Sequence, residues 1–266
     1  MMRLWFLIII INLGISFAAC SGEVSELSIS SLAQINRLTQ AIESKAVDPQ
    51  NIFVLGIGRS PGPFIAFEKA KNPRQASNLP LSDFRYGIGK PPYGDLSPHQ
   101  VQILFKHFDH FLPGISELNG KELLIIDYSF SGESVVAASR YLDRYFKARN
   151  RIQKVTAVAI VDPDFINEVT QETSKLNGHP VEYVVLEHRA NDFDPRKGPQ
   201  DSELAYLLAN QQFDETAEYS SYKLPEDEYV APKPIGGEWN RLTNRITQYL
   251  GGLHSNCNKV LMQTVP

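Results

Sequence analysis

Residues 122–140 read ELLIIDYSFSGESVVAASR, and the change of period inside this stretch decides the fold. Leu123 to Ile126 is an unbroken apolar run closed by Asp127, the pattern of a strand buried on both faces. Beyond a short turn the apolar positions fall at Val135, Ala138, Tyr141, Leu142 and Tyr145, which is helical spacing. A strand, a tight loop and a helix therefore follow one another, with Ser131, Gly132, Glu133 and Ser134 at the helix start. The first N–H groups of a helix have no intrahelical acceptor and together carry about half a positive charge, which suits them to phosphate. Small residues let the backbone approach an anion, and serine hydroxyls add donors. The stretch predicts a bound phosphate ester more strongly than it predicts any reaction.

The same alternation runs outward in both directions. Upstream, 51–57 (NIFVLGI) reads as a short buried strand ending in Gly58-Arg59-Ser60-Pro61, with a helix over 64–71 and another, earlier one over 27–44. Residues 77–85 (SNLPLSDFR) read as extended or irregular, and the Gly- and Pro-rich 86–98 as a loop. Ser97 followed by Pro98 has the form of a helix cap, and the helix it opens turns Val101, Leu104, Phe105, Phe108 and Leu112 inward. Downstream come a strand at 155–161, a helix at 165–176 and a strand at 181–186. After these, loops at 191–200 and 223–237 alternate with helices at 201–212 and 239–250. Apolar strands alternating with helices predict an α/β fold, a parallel sheet with helices on both faces. Ligands of such sheets bind beyond the carboxyl ends of the strands, near the point where strand order reverses. Two strand ends qualify, 56–60 and 127–134, and together they predict one pocket. There Arg59 and the 131–134 amides would bind anions, and Asp127 would hold hydroxyls or a metal. Plainer roles remain open: Asp127 as a turn cap, Ser131 and Ser134 as simple helix caps, Arg59 as a surface ion-pair partner.

The 266-residue chain carries a formal net charge of −4, so nucleic-acid binding has no electrostatic support. Its first residues have the three-part layout of a secretory signal: basic Met1-Met2-Arg3, an apolar run over 4–15, then Ser16, Ala18 and Ala19. The apolar run is short for a permanent membrane span. Phe17-Ala18-Ala19-Cys20 resembles a bacterial lipobox, in which Cys20 is lipidated; cleavage after Ala18 and an uncut signal anchor are the alternatives. An exported protein follows, periplasmic, lipid-anchored or secreted, that meets membrane only through its signal or lipid. The chain divides into a signal at 1–20, an N-terminal helical segment at 21–50, an α/β core at 51–190 and an extension at 191–266. If Cys20 is lipidated or removed, Cys257 is left as a lone thiol; otherwise a Cys20–Cys257 bridge remains open.

The segment 118–142 (LNGKELLIIDYSFSGESVVAASRYL) resembles the phosphoribosyl pyrophosphate-binding motif of type I phosphoribosyltransferases. In that family an apolar strand ends in two acidic residues and a Thr/Ser-Gly-x-Thr/Ser phosphate loop follows. The resemblance places Asp127 at the second acid, Ser131, Gly132, Glu133 and Ser134 at the phosphate loop, and Gly120-Lys121 at the lead-in. It likewise sets 52–60 (IFVLGIGRS) at the pyrophosphate loop, with Gly58, Arg59 and Ser60 as its contacts. The first acidic position is Ile126, and Phe130 stands where some purine enzymes carry a base-assisting aspartate. The resemblance thus implies a phosphoribosyltransferase-like fold holding a small phosphorylated ligand, a phosphorylated ribose or nucleotide. It implies either a binding or degenerate-enzyme domain, or an active transferase using Asp127 with Mg2+ on a pyrophosphate ligand. A second resemblance competes. Ser129-x-Ser131-Gly132-Glu133-Ser134, with Gly56-x-Gly58-Arg59-Ser60, is similar to the signature of sugar isomerase domains, and there Glu133 is the implied acid/base.

The remaining candidates have bland readings. His107, Asp109 and His110 invite a metal reading, but a site needs three or four converging ligands, and with Phe105, Phe108 and Leu112 inward these polar residues are expected on the solvated flank of their helix. Lys90 lies in the 86–98 loop, which either covers the pocket or merely connects. The acidic runs at 192–194 and 226–228 are expected to be solvated. No His-Glu-x-x-His pair, Walker loop or Cys-x-x-Cys pair occurs in the chain.

Overall fold

Among the described residues five segments become strands: β1 (Ile52–Ile57), β2 (Ala76–Leu79), β3 (Glu122–Tyr128), β4 (Val155–Val161) and β5 (Val181–Val185). They form one sheet in the order β2-β1-β3-β4-β5, with every neighbouring pair parallel. Every residue of β1 and β3 is buried, as their apolar runs require of central strands, whereas β5 at the edge buries only Val184. The computed structural model describes residues 27–114, 117–194, 197, 200–209, 218–219, 222–235 and 237–263. The expected signal at 1–20, with Cys20, lies outside the described residues.

Seven helices cover the sheet: α1 (Ile29–Glu43), α2 (Gly62–Lys71), α3 (Pro98–Phe111), α4 (Glu133–Lys147), α5 (Ile166–Thr173), α6 (Glu203–Ala209) and α7 (Gly237–Gln263). Side-chain alternation along the strands sends Val54, Leu124, Ile126 and Val158 to a core shared with α1, α2, α6 and α7. Phe53, Leu55, Leu123 and Ile125 face the other core, built with α3, α4 and α5. Helices thus lie on both faces, as the α/β pattern predicts. The predicted cap at Ser97 forms a full capping box: Ser97 Oγ accepts from Gln100 N at 3.3 Å, and Ser97 N donates to Gln100 Oε1 at 3.1 Å.

In the C-terminal extension, Trp239, Leu242 and Ile246 of α7 are buried in the same core as Phe64 and Phe67 of α2. Each such burial stabilises by about 1.5–3 kcal/mol, so α7 belongs to the sheet's cover. His107 is not on a solvated flank. It is wholly buried, its Nε2 donates to Pro80 O at 2.7 Å, and its ring stacks on Tyr222 at 4.4 Å with an interplanar angle of 1°. The helical period could place His107 beside Leu104 and Phe108. Its ring reads as polar only until Pro80 and Tyr222, distant in sequence, supply an acceptor and a partner.

Candidate functional site

The order β2-β1-β3 reverses direction at β1, since the chain leaves β1 toward β2 and then crosses back to β3. The two βα loops diverge at this point and leave a crevice over the strand ends. One loop follows β1, where Gly58 turns the chain at φ +73° before Pro61 and Gly62 lead into α2. The other follows β3 and is braced from within. Ser129 Oγ accepts from the N–H groups of Gly132 at 2.5 Å and Ser131 at 3.3 Å. Gly132 is the N-cap of α4 with φ +70°, a left-handed conformation that only glycine adopts cheaply. A Cβ at Gly132 would sit 2.2 Å from Thr173 Cγ2, so the loop also depends on close approach to α5. Ser131 Oγ is only in stretched contact with Glu133 N, at 3.5 Å. The Ser134 and Val135 N–H groups, in the first turn of α4, have no acceptor within the helix.

Between the loops lies a cleft of about 400 Å³, within the usual size of a small-molecule site. Gly58, Arg59 and Ser60 line one wall, and Asp127, Ser131 and Ser134 the other. These six candidates, some 70 residues apart in the chain, therefore meet in one place. The floor is Asp127, only 9% exposed, and burial pushes its carboxyl well above the usual range, favouring the neutral acid. A neutral carboxyl in a cleft can donate a hydrogen bond to a ligand oxygen as well as accept one. Asp162, at the end of the next strand, makes the contrast plain. It too is buried, but its oxygens accept from Asp164 N at 2.9 Å and Ala190 N at 2.8 Å, so it holds a loop in place.

The structure adds residues that sequence reasoning did not select. Asp83, Arg85 and Lys223 complete the rim, with Arg85 3.1 Å and Lys223 3.5 Å from Asp83. These side chains are 40–75% exposed, and such ion pairs are worth about 0–1 kcal/mol, so an entering anion can displace Asp83 at little cost. Asp83 and Arg85 follow β2 and Lys223 comes from the far C-terminal region, so no local motif marks them. Ser129 carried a signal, in the Ser-x-Ser-Gly pattern, but it works as a loop brace. Phe130 also lines the cleft and is 44% exposed.

Two candidates are placed elsewhere. Glu133 is 4% exposed and bound to Lys90 Nζ at 2.6 Å and Arg85 at 3.3 Å, outside the cleft lining. Lys90, also 3.2 Å from Glu172, lines a separate hollow with Pro91, Pro92 and Arg140. Its loop therefore does not close over the cleft. Among the described residues no three His, Cys, Asp or Glu side chains cluster as a metal site, and no helix is long and apolar enough to cross a membrane. The cleft's one carboxylate without an ion-pair partner, Asp127, does not suit a protein-held Mg2+. Comparison of the chain with protein-family models, with curated proteins and with solved structures gave no match.

Proposed function

We propose that the cleft between β1 and β3 binds a small phosphate ester, a phosphorylated ribose or nucleotide, in a phosphoribosyltransferase-like arrangement. One observation carries this reading: the 58–60 and 127–134 segments converge on one cleft at the point where strand order reverses. The phosphate lies against the Ser131 and Ser134 hydroxyls and the first N–H groups of α4. Arg59 and Arg85 face its remaining charge, and Asp127 meets a ligand hydroxyl. Ile126 is buried in the core, leaving Asp127 as the only acid at the strand end, which favours binding over pyrophosphate turnover. Glu133, engaged by two cations, is a poor acid/base, and this favours the transferase-like arrangement over the isomerase-like one. The N-terminal signal belongs to the same proposal: the protein is exported, and Cys20 is its lipidation site.

Thermal unfolding tests the site. Phosphoribosyl pyrophosphate, ribose 5-phosphate, fructose 6-phosphate and AMP are each added, with and without magnesium, to wild type and to a Ser131→Ala/Ser134→Ala double variant. A ligand at about 100 times its dissociation constant adds about 2.7 kcal/mol of stability. A shift in wild type that the double variant lacks supports the site. Equal shifts in both proteins, or none in either, reject it.

A further inference from the structure

Phe130 is the exposed apolar side chain of the cleft wall, and a phosphate site alone does not call for it. Among the described residues, the large exposed hydrophobics are Ile29, Val47, Phe130, Ile152, Val185 and Val230, and Phe130 is the only aromatic. A single exposed apolar side chain is ordinary on a protein surface. Phe130 is set apart by where it stands and how it is held. It lines the cleft, and it sits between Ser129 and Ser131, so the loop that would frame a phosphate also carries the ring. Tyr128 and Phe165 meet it edge-on, with centroids 5.3 and 5.2 Å away and planes at 78° and 83°. Two edge contacts fix the ring's orientation, while 44% of the residue stays open. An aromatic face already held in place binds a second ring without first losing rotamer freedom.

We infer that the ligand is a nucleotide, or another phosphate ester carrying a planar ring, with its ring stacked on Phe130 and its phosphate at the 131–134 loop. The inference rests on the phosphate-ester reading of the same cleft and narrows it. A bare sugar phosphate would leave Phe130 in water, whereas a nucleobase covers it. Base–aromatic stacking tolerates any base, because every base has a π face. Specificity among bases must then come from other contacts.

Calorimetric titration of the full-length chain with AMP, UMP and ribose 5-phosphate tests it, on wild type, Phe130→Leu and Phe130→Trp. Stacking predicts that wild type binds AMP about five- to hundredfold more tightly than ribose 5-phosphate. Phe130→Leu keeps apolar bulk but loses the π face, and brings that ratio close to one. Phe130→Trp, with a larger face, keeps or raises it, and UMP falls between AMP and ribose 5-phosphate. Circular dichroism establishes that each variant is folded, and the Trp variant keeps the test decisive if the Leu variant is not. Ribose 5-phosphate binding as tightly as AMP in wild type overturns the stacking and leaves the phosphate site standing. The same holds if the AMP preference survives in Phe130→Leu. If none of the three binds, both readings fall.

Discussion

His107 should make this fold sensitive to acid, and the size of the effect follows from its surroundings. The imidazole is wholly buried, and burial, with a smaller contribution from nearby His110, lowers its pKa from 6.5 to about 4, against the opposing bond to Pro80 O. The unfolded chain therefore binds a proton near pH 6.5 that the folded chain refuses until about pH 4. The stability this neutral ring represents is complete above the unfolded value and is lost as pH falls toward the folded one. The full gap is worth about 3 kcal/mol at 1.36 kcal/mol per pH unit, and about 2 kcal/mol is already lost at pH 5. Other groups also titrate in this window, so the readout is the difference between wild type and His107→Gln. Glutamine is neutral throughout and keeps a donor for Pro80 O. At pH 7.5 it should be less stable, because the stack on Tyr222 is gone. At pH 5 the deficit should shrink by about 2 kcal/mol or reverse, since only wild type then pays for a proton. Urea denaturation followed by Trp239 fluorescence measures both. A deficit that stays constant from pH 8 to pH 5 within about 0.5 kcal/mol refutes the reasoning. The result bears on the cleft, because Tyr222 precedes Lys223 on its rim and its carbonyl accepts from Ser82 N at 2.7 Å.

Two further perturbations probe the cleft itself. Gly132→Ala forces a side chain into a left-handed conformation and against Thr173, and should cost about 2–4 kcal/mol in urea denaturation, together with any phosphate-ester binding; a near-neutral change would show that the loop yields. Asp127→Asn should run opposite to His107. Because the folded pKa of Asp127 is raised, its favourable contribution is complete below the unfolded value near 3.8 and is lost as pH rises through the folded value. The variant should therefore gain on wild type between pH 4 and pH 8, and a pH-independent difference would mean that Asp127 is not desolvated.

The layers of this fold were legible because they depend on local period. The runs at 52–57, 123–126 and 157–161 are apolar without interruption, and a sheet covered on both faces uses such strands. The cap at Ser97 and the glycine turn at 131–134 were legible for the same reason, since each satisfies its own backbone within a few residues. Side chains whose role depends on a distant partner were not. Glu133 has the look of an acid/base within its motif, yet Lys90 and Arg85, some 43 and 48 residues upstream, turn it into an ion-pair anchor. His107 looked solvated until Tyr222, 115 residues on, closed over it. The same chain reversal that joins Arg59 to Asp127 also brings in Asp83 and Lys223, which no spacing rule could have joined to them.

That division explains why the cleft supports a ligand class more firmly than a reaction. The features behind the phosphate proposal come from the strand–loop–helix turn: N–H groups at the start of α4, a left-handed Gly132, a hydroxyl brace at Ser129. Such features follow from strand–loop–helix geometry and need no particular partner. Chemistry would need side chains set against one another, and the charged groups of the rim are instead set against themselves, with Asp83 between Arg85 and Lys223. Among the described residues, Glu133, the other acid of the motif, is held by Lys90 and Arg85 outside the cleft lining and so is not set to exchange a proton with the buried Asp127. The proposed ligand would meet an anion cradle, an open aromatic face and a neutral acid, an arrangement that fits holding it in place.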